Sequence, residues 1–241
     1  MGDDESREPA AATDDGLRLS STSRTEAFSD GVLAIAITLL VLDLHVDVSP
    51  HGSLFWVLVH QWESYLAYLT SFLTIGIIWL NHHAFFERLR ATDRVLQWAN
   101  LSLLLFVAFL PFPTAILAAH LSDPGWNGRV AAMLYGLAGV LMTLPWVALW
   151  RHLARAPHLF RAPFDAPFAR REGVRAWVGV FAYGGCGLLA LLSPYLAAFL
   201  YLAIAVFYAV TSSGWSSLPG RRRAAAANRK GKAGNDPGIR A

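Results

Sequence analysis

Long apolar runs separated by short polar clusters occupy the chain from about residue 25 to residue 212. A helix of about 20 residues crosses the hydrocarbon core of a bilayer, and six runs have about that length or more. They predict spanning helices at about 25–46, 54–84, 95–119, 128–150, 174–192 and 195–212. A transmembrane β-barrel would alternate apolar and polar residues instead. The pattern therefore predicts an all-α integral membrane protein with six transmembrane helices per chain.

The two ends of the chain contain no such run. Residues 1–23 are acidic and polar, and no basic segment precedes an apolar stretch there, so no signal peptide is predicted. Residues 214–241 are basic and rich in small side chains. Neither segment can bury enough apolar surface to offset its ordering entropy. Both are predicted to be disordered tails, and residues 24–213 are predicted to form one membrane domain.

Basic residues are concentrated in alternate connections between the predicted helices. All but Arg129 of the 20 lysines and arginines precede helix one, lie between two and three, lie between four and five or at the very start of five, or follow helix six. Positive charges favour the cytoplasmic side of a membrane. Both termini are therefore predicted to be cytoplasmic, in a multi-pass protein of the cell membrane. The net charge of +3 has a topological explanation, so no nucleic-acid partner is expected.

Signatures of enzymatic chemistry are absent from the sequence. There is no phosphate-binding loop, dinucleotide fingerprint or nucleophile elbow, so an enzyme is not expected. His82 and His83 are neighbours, and adjacent helical residues point about 100° apart. They do not form the i, i+4 pair of a helix-borne metal site. Hydrogen bonding is the favoured role, and no metal or cofactor is expected. A haem or metal enzyme stays open as an alternative that would need ligands from a second helix.

The first helix begins in a polar segment, RTEAFSDGVLAIAITLLVLDL at 24–44. Ser23 and Glu26 have the spacing of a capping box, which predicts the helix start at Ser23. Arg24 and Asp30 are too far around the helix to pair with each other. A charge at membrane depth costs about 2.5–3.5 kcal/mol, so partners on other helices are expected. The second helix ends at the same depth with Trp79, Asn81, His82 and His83, and a polar network between the two helices is predicted.

The middle of the first helix carries an apolar stripe. At about 100° per residue, Ile35, Leu39 and Leu42 lie within about 60° of one another, and Thr38 flanks them. Asp30 lies about 140° from Ile35 on the same arithmetic. Asp30 should therefore face other helices of the protein, while the stripe faces elsewhere. These residues alone leave two interpretations of the stripe, a packing or lipid face and the lining of a pore.

Three sequence blocks resemble one known family. Arg24-x-x-x-Phe28-Ser29-Asp30 is similar to the RxxxFSD signature that opens the first helix of the transmembrane protein 175 family. Its members are endolysosomal potassium leak channels in animals, with bacterial homologues. The blocks Trp79-x-Asn81-His82-His83 and Asn100-Leu101 through Pro111-Phe112-Pro113 resemble the second and third helices of that family. The resemblance covers roughly residues 24–213 and excludes both tails.

The resemblance implies an architecture and a function. Each six-helix repeat of the family donates its first helix to a central pore. Animal members carry two repeats and pair, so one repeat per chain implies a homotetramer. The implied constriction is a set of apolar rings from Ile35, Leu39 and Leu42, with the Thr38 hydroxyl associated with potassium preference. The implied activity is a potassium-selective leak channel in which these rings act as filter and gate.

A second function class remains as an alternative. Asp30, Glu63 and the histidines could form a proton relay, in which case the protein would be a proton-coupled secondary transporter. Currents that persist without a proton gradient would indicate a channel, whereas saturable proton-coupled flux would indicate a transporter.

Overall fold

The computed structural model describes residues 22–44, 53–161 and 165–211. Almost all of both predicted tails lies outside this part of the chain. The described residues fold into eight α-helices and two short 3₁₀ segments, Leu40–Asp43 and Pro157–Leu159. The α-helices are α1 Thr22–Leu39, α2 Leu54–His60, α3 Trp62–Phe86, α4 Arg94–Phe109, α5 Pro111–His120, α6 Trp126–Leu153, α7 Ala166–Leu189 and α8 Pro194–Thr211.

Five segments are long and apolar enough to cross a membrane: Thr22–Asp43, Trp62–Phe86, Arg94–His120, Trp126–Leu153 and Pro194–Thr211. Among the described residues, α7 is the predicted spanning helix that falls outside this set. Its first turns carry Arg170, Arg171, Glu172 and Arg175, which lower its hydropathy. Six spans per chain therefore remain a prediction from the sequence.

Two predicted helices are interrupted where the sequence changes character. The predicted second helix divides at Gln61 into the short α2 and the long α3. The predicted third helix divides into α4 and α5, because Pro111 has no N–H to continue the helical hydrogen-bond ladder. At this junction the Leu110 N–H bonds the carbonyl of Val107, a tighter i−3 contact of 3.1 Å.

Contacts between helix ends show that neighbouring helices run antiparallel. His83 at the end of α3 meets Glu26 at the start of α1, His152 at the end of α6 meets Asp93 just before α4, and Arg175 near the start of α7 meets Thr211 at the end of α8. Apart from Arg129, every described arginine lies at this end of the helices. We call it the basic end. Its assignment to the cytoplasm rests on the sequence rule for positive charges.

Helices α6 and α7 approach each other closely because glycine lies at their contact. A Cβ atom added to Gly139 of α6 would lie 2.2 Å from Cδ1 of Tyr183 on α7. The aromatic ring of Tyr183 therefore packs directly on the α6 backbone, and it also stacks on Tyr201 of α8. These contacts join α6, α7 and α8 into a block that lies beside α3.

Candidate functional site

Helix α1 has one face buried against its own chain. Ser29, Leu33 and Ala36 are buried, and Leu40 continues the same face into the 3₁₀ segment. Their spacing of four, three and four residues is that of a single helix face. This face contacts α3 and α4, so it fixes the rotation of α1 about its own axis.

The opposite face of α1 is apolar and exposed in the single chain. Ile35 is 62% exposed and Leu42 is 64% exposed, while Phe28 and Leu39 are also exposed. Phe28, Ile35 and Leu42 follow one another at intervals of seven residues and therefore lie in one row. We call Phe28, Ile35, Thr38, Leu39 and Leu42 the exposed stripe. The described part of this chain leaves the stripe uncovered.

The hydroxyl of Thr38 lies on this exposed side of the helix. Its Oγ1 donates to the backbone oxygen of Ile35 at 2.8 Å. Because the proton points to the backbone, the oxygen can act only as an acceptor toward a group outside the helix. The position therefore presents lone pairs rather than a donor.

A buried chain of hydrogen bonds joins α1, α3 and α4 near the basic end. Asn100 Nδ2 donates to Ser29 Oγ at 2.9 Å, and Ser29 Oγ donates to the Thr25 carbonyl at 2.8 Å. Asn100 Oδ1 lies 2.9 Å from Nε2 of His82. Since this amide oxygen has no proton, His82 must donate from Nε2. All donors in this series of hydrogen bonds therefore point the same way, from the His82 imidazole to the Asn100 amide, from the amide to the Ser29 hydroxyl, and from the hydroxyl to the Thr25 carbonyl.

A second set of contacts lies beside this chain and is more exposed. Trp79 Nε1 donates to Asp30 Oδ1 at 3.0 Å, and His83 Nδ1 lies 2.8 Å from Glu26 Oε1. The rings of Trp79 and His83 stack with centroids 6.3 Å apart. The two sets of contacts form one layer between helices. We call it the polar anchor, made of Thr25, Glu26, Ser29, Asp30, Trp79, His82, His83 and Asn100.

Three residues of the predicted motif and network lie outside the polar anchor. Asn81 lies on another side of α3 and lines a cavity among α3, α6, α7 and α8. Phe28 belongs to the exposed stripe. Arg24 is exposed and contacts no polar partner among the described residues.

Two members of the polar anchor have roles that the sequence did not indicate. The capping-box prediction is wrong, because Ser23 lies inside α1 and the Glu26 carboxylate contacts His83. Asn100 lies at the centre of the network, although the sequence drew attention to it only as part of a family-like block. The available signal was its position, since an amide near the basic end of an apolar helix needs a partner.

One residue of the alternative proton relay, Glu63, lies far from the others, whereas Asp30, His82 and His83 share the polar anchor. Glu63 lies at the start of α3, 19 residues before His82, which is about 28 Å along a helix axis. The described residues also contain no group of three His, Cys, Asp or Glu side chains that could hold a metal ion. The polar anchor is thus arranged to hold helices together by hydrogen bonds.

A double-mutant cycle tests the contact between Asp30 and Trp79. Hydrogen bonds to charged groups contribute about 1.5–3 kcal/mol, and partial exposure should reduce this pair to about 1 kcal/mol of coupling. We expect Asp30→Ala and Trp79→Phe each to lower the thermal unfolding midpoint in detergent. The double variant should be little worse than the more damaging single variant. Fully additive midpoint shifts would show that the two side chains act independently.

Comparisons with known proteins found a matching family and similar relatives. The chain matches the model of the family described as Endosomal/lysosomal potassium channel TMEM175 over residues 24–111, a range that contains every residue of the anchor. It is 43% identical over 210 residues to a potassium channel of Streptomyces collinus, which covers 87% of this chain and 99% of that protein. A potassium channel of Chamaesiphon minutus is 39% identical over 204 residues, covering 80% of this chain and 96% of that protein.

The fold is similar to a solved structure as well. That crystal structure is described as a lysosomal potassium-selective channel TMEM175 homolog from Chamaesiphon minutus. The TM-score is 0.69 at 36% sequence identity, and the similarity covers 80% of this chain and 98% of that chain. The similarity in sequence and in fold therefore extends over nearly the full length of these relatives.

Proposed function

This chain belongs to the TMEM175 family, and we propose that it forms a potassium-selective leak channel in the cell membrane from four identical subunits. The family is one of channels rather than enzymes, and the two relatives named above are potassium channels. In this proposal both termini are cytoplasmic, because the basic end faces the cytoplasm. The permeant potassium ion is the only ligand that the function requires.

The observation that carries the proposal is the exposed stripe of α1. A single helix cannot enclose an ion path, so several copies must surround a common axis. Closed rotational symmetry is the usual arrangement of identical subunits. The buried face of α1 holds the helix against its own chain, and the stripe faces away from it. Gly31 and Ala34 on the exposed side are small enough to let neighbouring copies approach.

The stripe supplies a physical basis for ion selection. Four Ile35 side chains around an axis form a narrow ring without polar atoms, and further rings from Leu39 and Leu42 follow. An ion must shed part of its hydration shell to pass such a ring. Potassium holds its water less tightly than sodium, so the ring favours potassium without a cage of carbonyl oxygens. A dry ring can also close the path by dewetting.

Thr38 adds an acceptor beside these rings. Its proton is held by the Ile35 carbonyl, so four such hydroxyls would present only lone pairs to the axis. A cation that has lost part of its water shell next to Ile35 gains a partial replacement here. This arrangement suits a cation and disfavours an anion.

The transporter alternative is not favoured. The two relatives named above are potassium channels, and Glu63 lies about 28 Å along α3 from the histidines that a relay would use. Reversal-potential measurements on the reconstituted protein test the choice. With a potassium gradient and equal pH on both sides, we expect currents that reverse near the potassium equilibrium potential. Flux that saturates and requires a proton gradient would overturn the channel proposal.

Subunit number is a separate prediction. The purified protein in mild detergent should have about four times the chain mass of 26.4 kDa. Light scattering with subtraction of the detergent contribution measures this mass. An active monomer would contradict the proposed tetramer, and an active dimer would require a pore built from more than α1.

Cysteine crosslinking tests which face of α1 meets the axis. Ile35→Cys should form a disulfide between subunits under mild oxidation, because Ile35 lies on the exposed stripe. Ala36→Cys is the matched control, since Ala36 is its neighbour in sequence but is only 2% exposed and faces α3 and α4. Crosslinking of Ala36→Cys in preference to Ile35→Cys would place the wrong face at the axis.

A further inference from the structure

A cavity lies among α3, α6, α7 and α8, on the side of α3 away from the polar anchor. Its volume is about 100 Å³. Asn81 of α3, Trp146 of α6, Ala176 of α7 and Tyr208 of α8 contribute to its wall. None of its lining residues belongs to the exposed stripe or to the polar anchor, so the proposed ion path does not use this cavity.

Charged groups in the cavity wall are confined to the basic end. They are Arg88, Glu172 and Arg175. Arg175 Nη1 lies 3.2 Å from both carboxylate oxygens of Glu172, and its Nη2 donates to Thr211 at 3.3 Å. The guanidinium of Arg88 lies 4.8 Å from the ring centroid of Phe168. Two guanidinium groups and one carboxylate leave this end of the cavity with a net charge of +1.

One donor in this cluster is unused. Nε of Arg175 is buried and has no hydrogen-bond partner among the described residues. A buried donor without a partner costs about 1–3 kcal/mol. A ligand with an acceptor oxygen at this point would remove that cost.

The rest of the wall is uncharged and mostly apolar, and it extends deep into the helix bundle. The lining runs from Arg88, just after the end of α3, back to Thr74 on that helix, which is about 21 Å at the rise of an α-helix. Ile77, Ile78, Phe85, Met142, Trp146 and Ala205 line this length, and Tyr183 packed on Gly139 contributes at the deep end. The cavity is therefore amphiphilic, with its charge at the level where lipid head groups meet a membrane protein.

We propose that this cavity binds an anionic phospholipid of the leaflet at the basic end. The phosphodiester lies at Arg88 and Arg175, and part of one acyl chain lies along the α3 wall. A phosphodiester carries one negative charge, which matches the net charge of the site. A guanidinium presents N–H donors in a planar fork that fits phosphate oxygens. Basic pockets between transmembrane helices are known settings for such head groups.

A stability measurement on the wild-type protein distinguishes the contribution of the lipid head group from that of the acyl chain. We expect dodecyl phosphate to raise the thermal unfolding midpoint in dodecyl maltoside at concentrations where dodecanol and inorganic phosphate do not. Each control carries only half of the proposed ligand. Stabilisation by inorganic phosphate alone would overturn the lipid proposal in favour of a free anion. Equal stabilisation by dodecanol would overturn the role of the arginines.

Native mass spectrometry then locates the site. We expect the wild-type protein to retain about one phosphatidylglycerol per chain, and phosphatidylcholine at least about tenfold less often. Arg175→Gln should reduce phosphatidylglycerol retention by about tenfold. Arg171→Gln is the matched control, because it removes the same charge from an exposed position on the same helix.

A variant with a larger side chain in the cavity tests the proposed binding of the acyl chain without altering the charge of the site. Ala176 is buried in the cavity wall, so Ala176→Leu should displace the acyl chain and abolish retention of phosphatidylglycerol. Should this variant fail to fold, the Arg175→Gln comparison with Arg171→Gln still decides the proposal. Undiminished retention in either cavity variant would place the lipid on the outer surface. All of these readouts measure lipid binding rather than ion flux, so they stand or fall independently of the channel proposal.

Discussion

Replacing Asn100 with alanine should lower the free energy of unfolding by about 2–6 kcal/mol, because two buried groups lose their partner. The Asn100 side chain accepts from His82 and donates to Ser29, and both of those residues are fully buried. The imidazole N–H would then have no acceptor, and the Ser29 oxygen would have no donor. The substitution should loosen the packing of α1, α3 and α4 together, because Asn100 on α4 is hydrogen-bonded to both Ser29 on α1 and His82 on α3.

Thermal unfolding in detergent, followed by tryptophan fluorescence, measures this effect. Asn127→Ala is the matched control, because Asn127 is exposed and only weakly bonded to Asp123 at 3.4 Å. It should leave the midpoint nearly unchanged. A similar midpoint for the wild-type protein and Asn100→Ala would show that water or a rearranged side chain replaces the amide, and that the anchor is not held through Asn100.

Ile35→Asn should lower the ratio of potassium to sodium permeability towards one. In the proposed pore, selection depends on the water that an ion must lose beside an apolar ring. Four amide groups in that ring would supply oxygen atoms and admit water, so sodium would lose its disadvantage. A tenfold fall in the ratio corresponds to about 1.4 kcal/mol of difference between the two barriers. Bi-ionic reversal potentials of the reconstituted variant give the ratio directly.

Two control variants make the Ile35 experiment specific. Ile35→Val keeps a branched apolar side chain in the ring and should preserve selectivity. Val206→Asn makes a comparable apolar-to-amide change at an exposed position of α8, outside the stripe, and should also preserve it. An unchanged permeability ratio in Ile35→Asn would remove Ile35 from the constriction.

The sequence was sufficient to predict which side of α1 faces the rest of its own chain, because the rotation of 100° per residue sets the direction of every side chain on a helix. At 100° per residue the stripe and Asp30 must diverge, and the structure exposes Ile35 and Leu42 while Asp30 contacts Trp79. The same arithmetic could have excluded Asn81 from the network. Asn81 lies about 200° from Trp79 around α3, whereas His82 and His83 lie within about 60° of Trp79 on either side.

Other features depend on packing between helices and could not be read along one helix. Whether Asn100 meets Ser29 and His82 depends on how α4 rotates against α1 and α3, and many apolar contacts set that rotation. Glu26 fitted a local capping pattern, but the contact with His83 on α3 prevailed. The cavity likewise needs four helices, and its two arginines had served in the sequence only as indicators of topology.

The position of the polar anchor along α1 has a mechanical consequence. The anchor holds α1 near the basic end, so we expect any tilt of this helix to pivot there. Ile35 lies about 7.5 Å beyond Asp30 and Leu42 about 18 Å beyond it along the helix axis. A tilt of α1 about the polar anchor would therefore displace Leu42 more than twice as far as Ile35. In the proposed pore, the same tilt of four copies would change the diameter at Leu42 more than twice as much as the diameter at Ile35, so Leu42 is the better placed of the two to open and close the path.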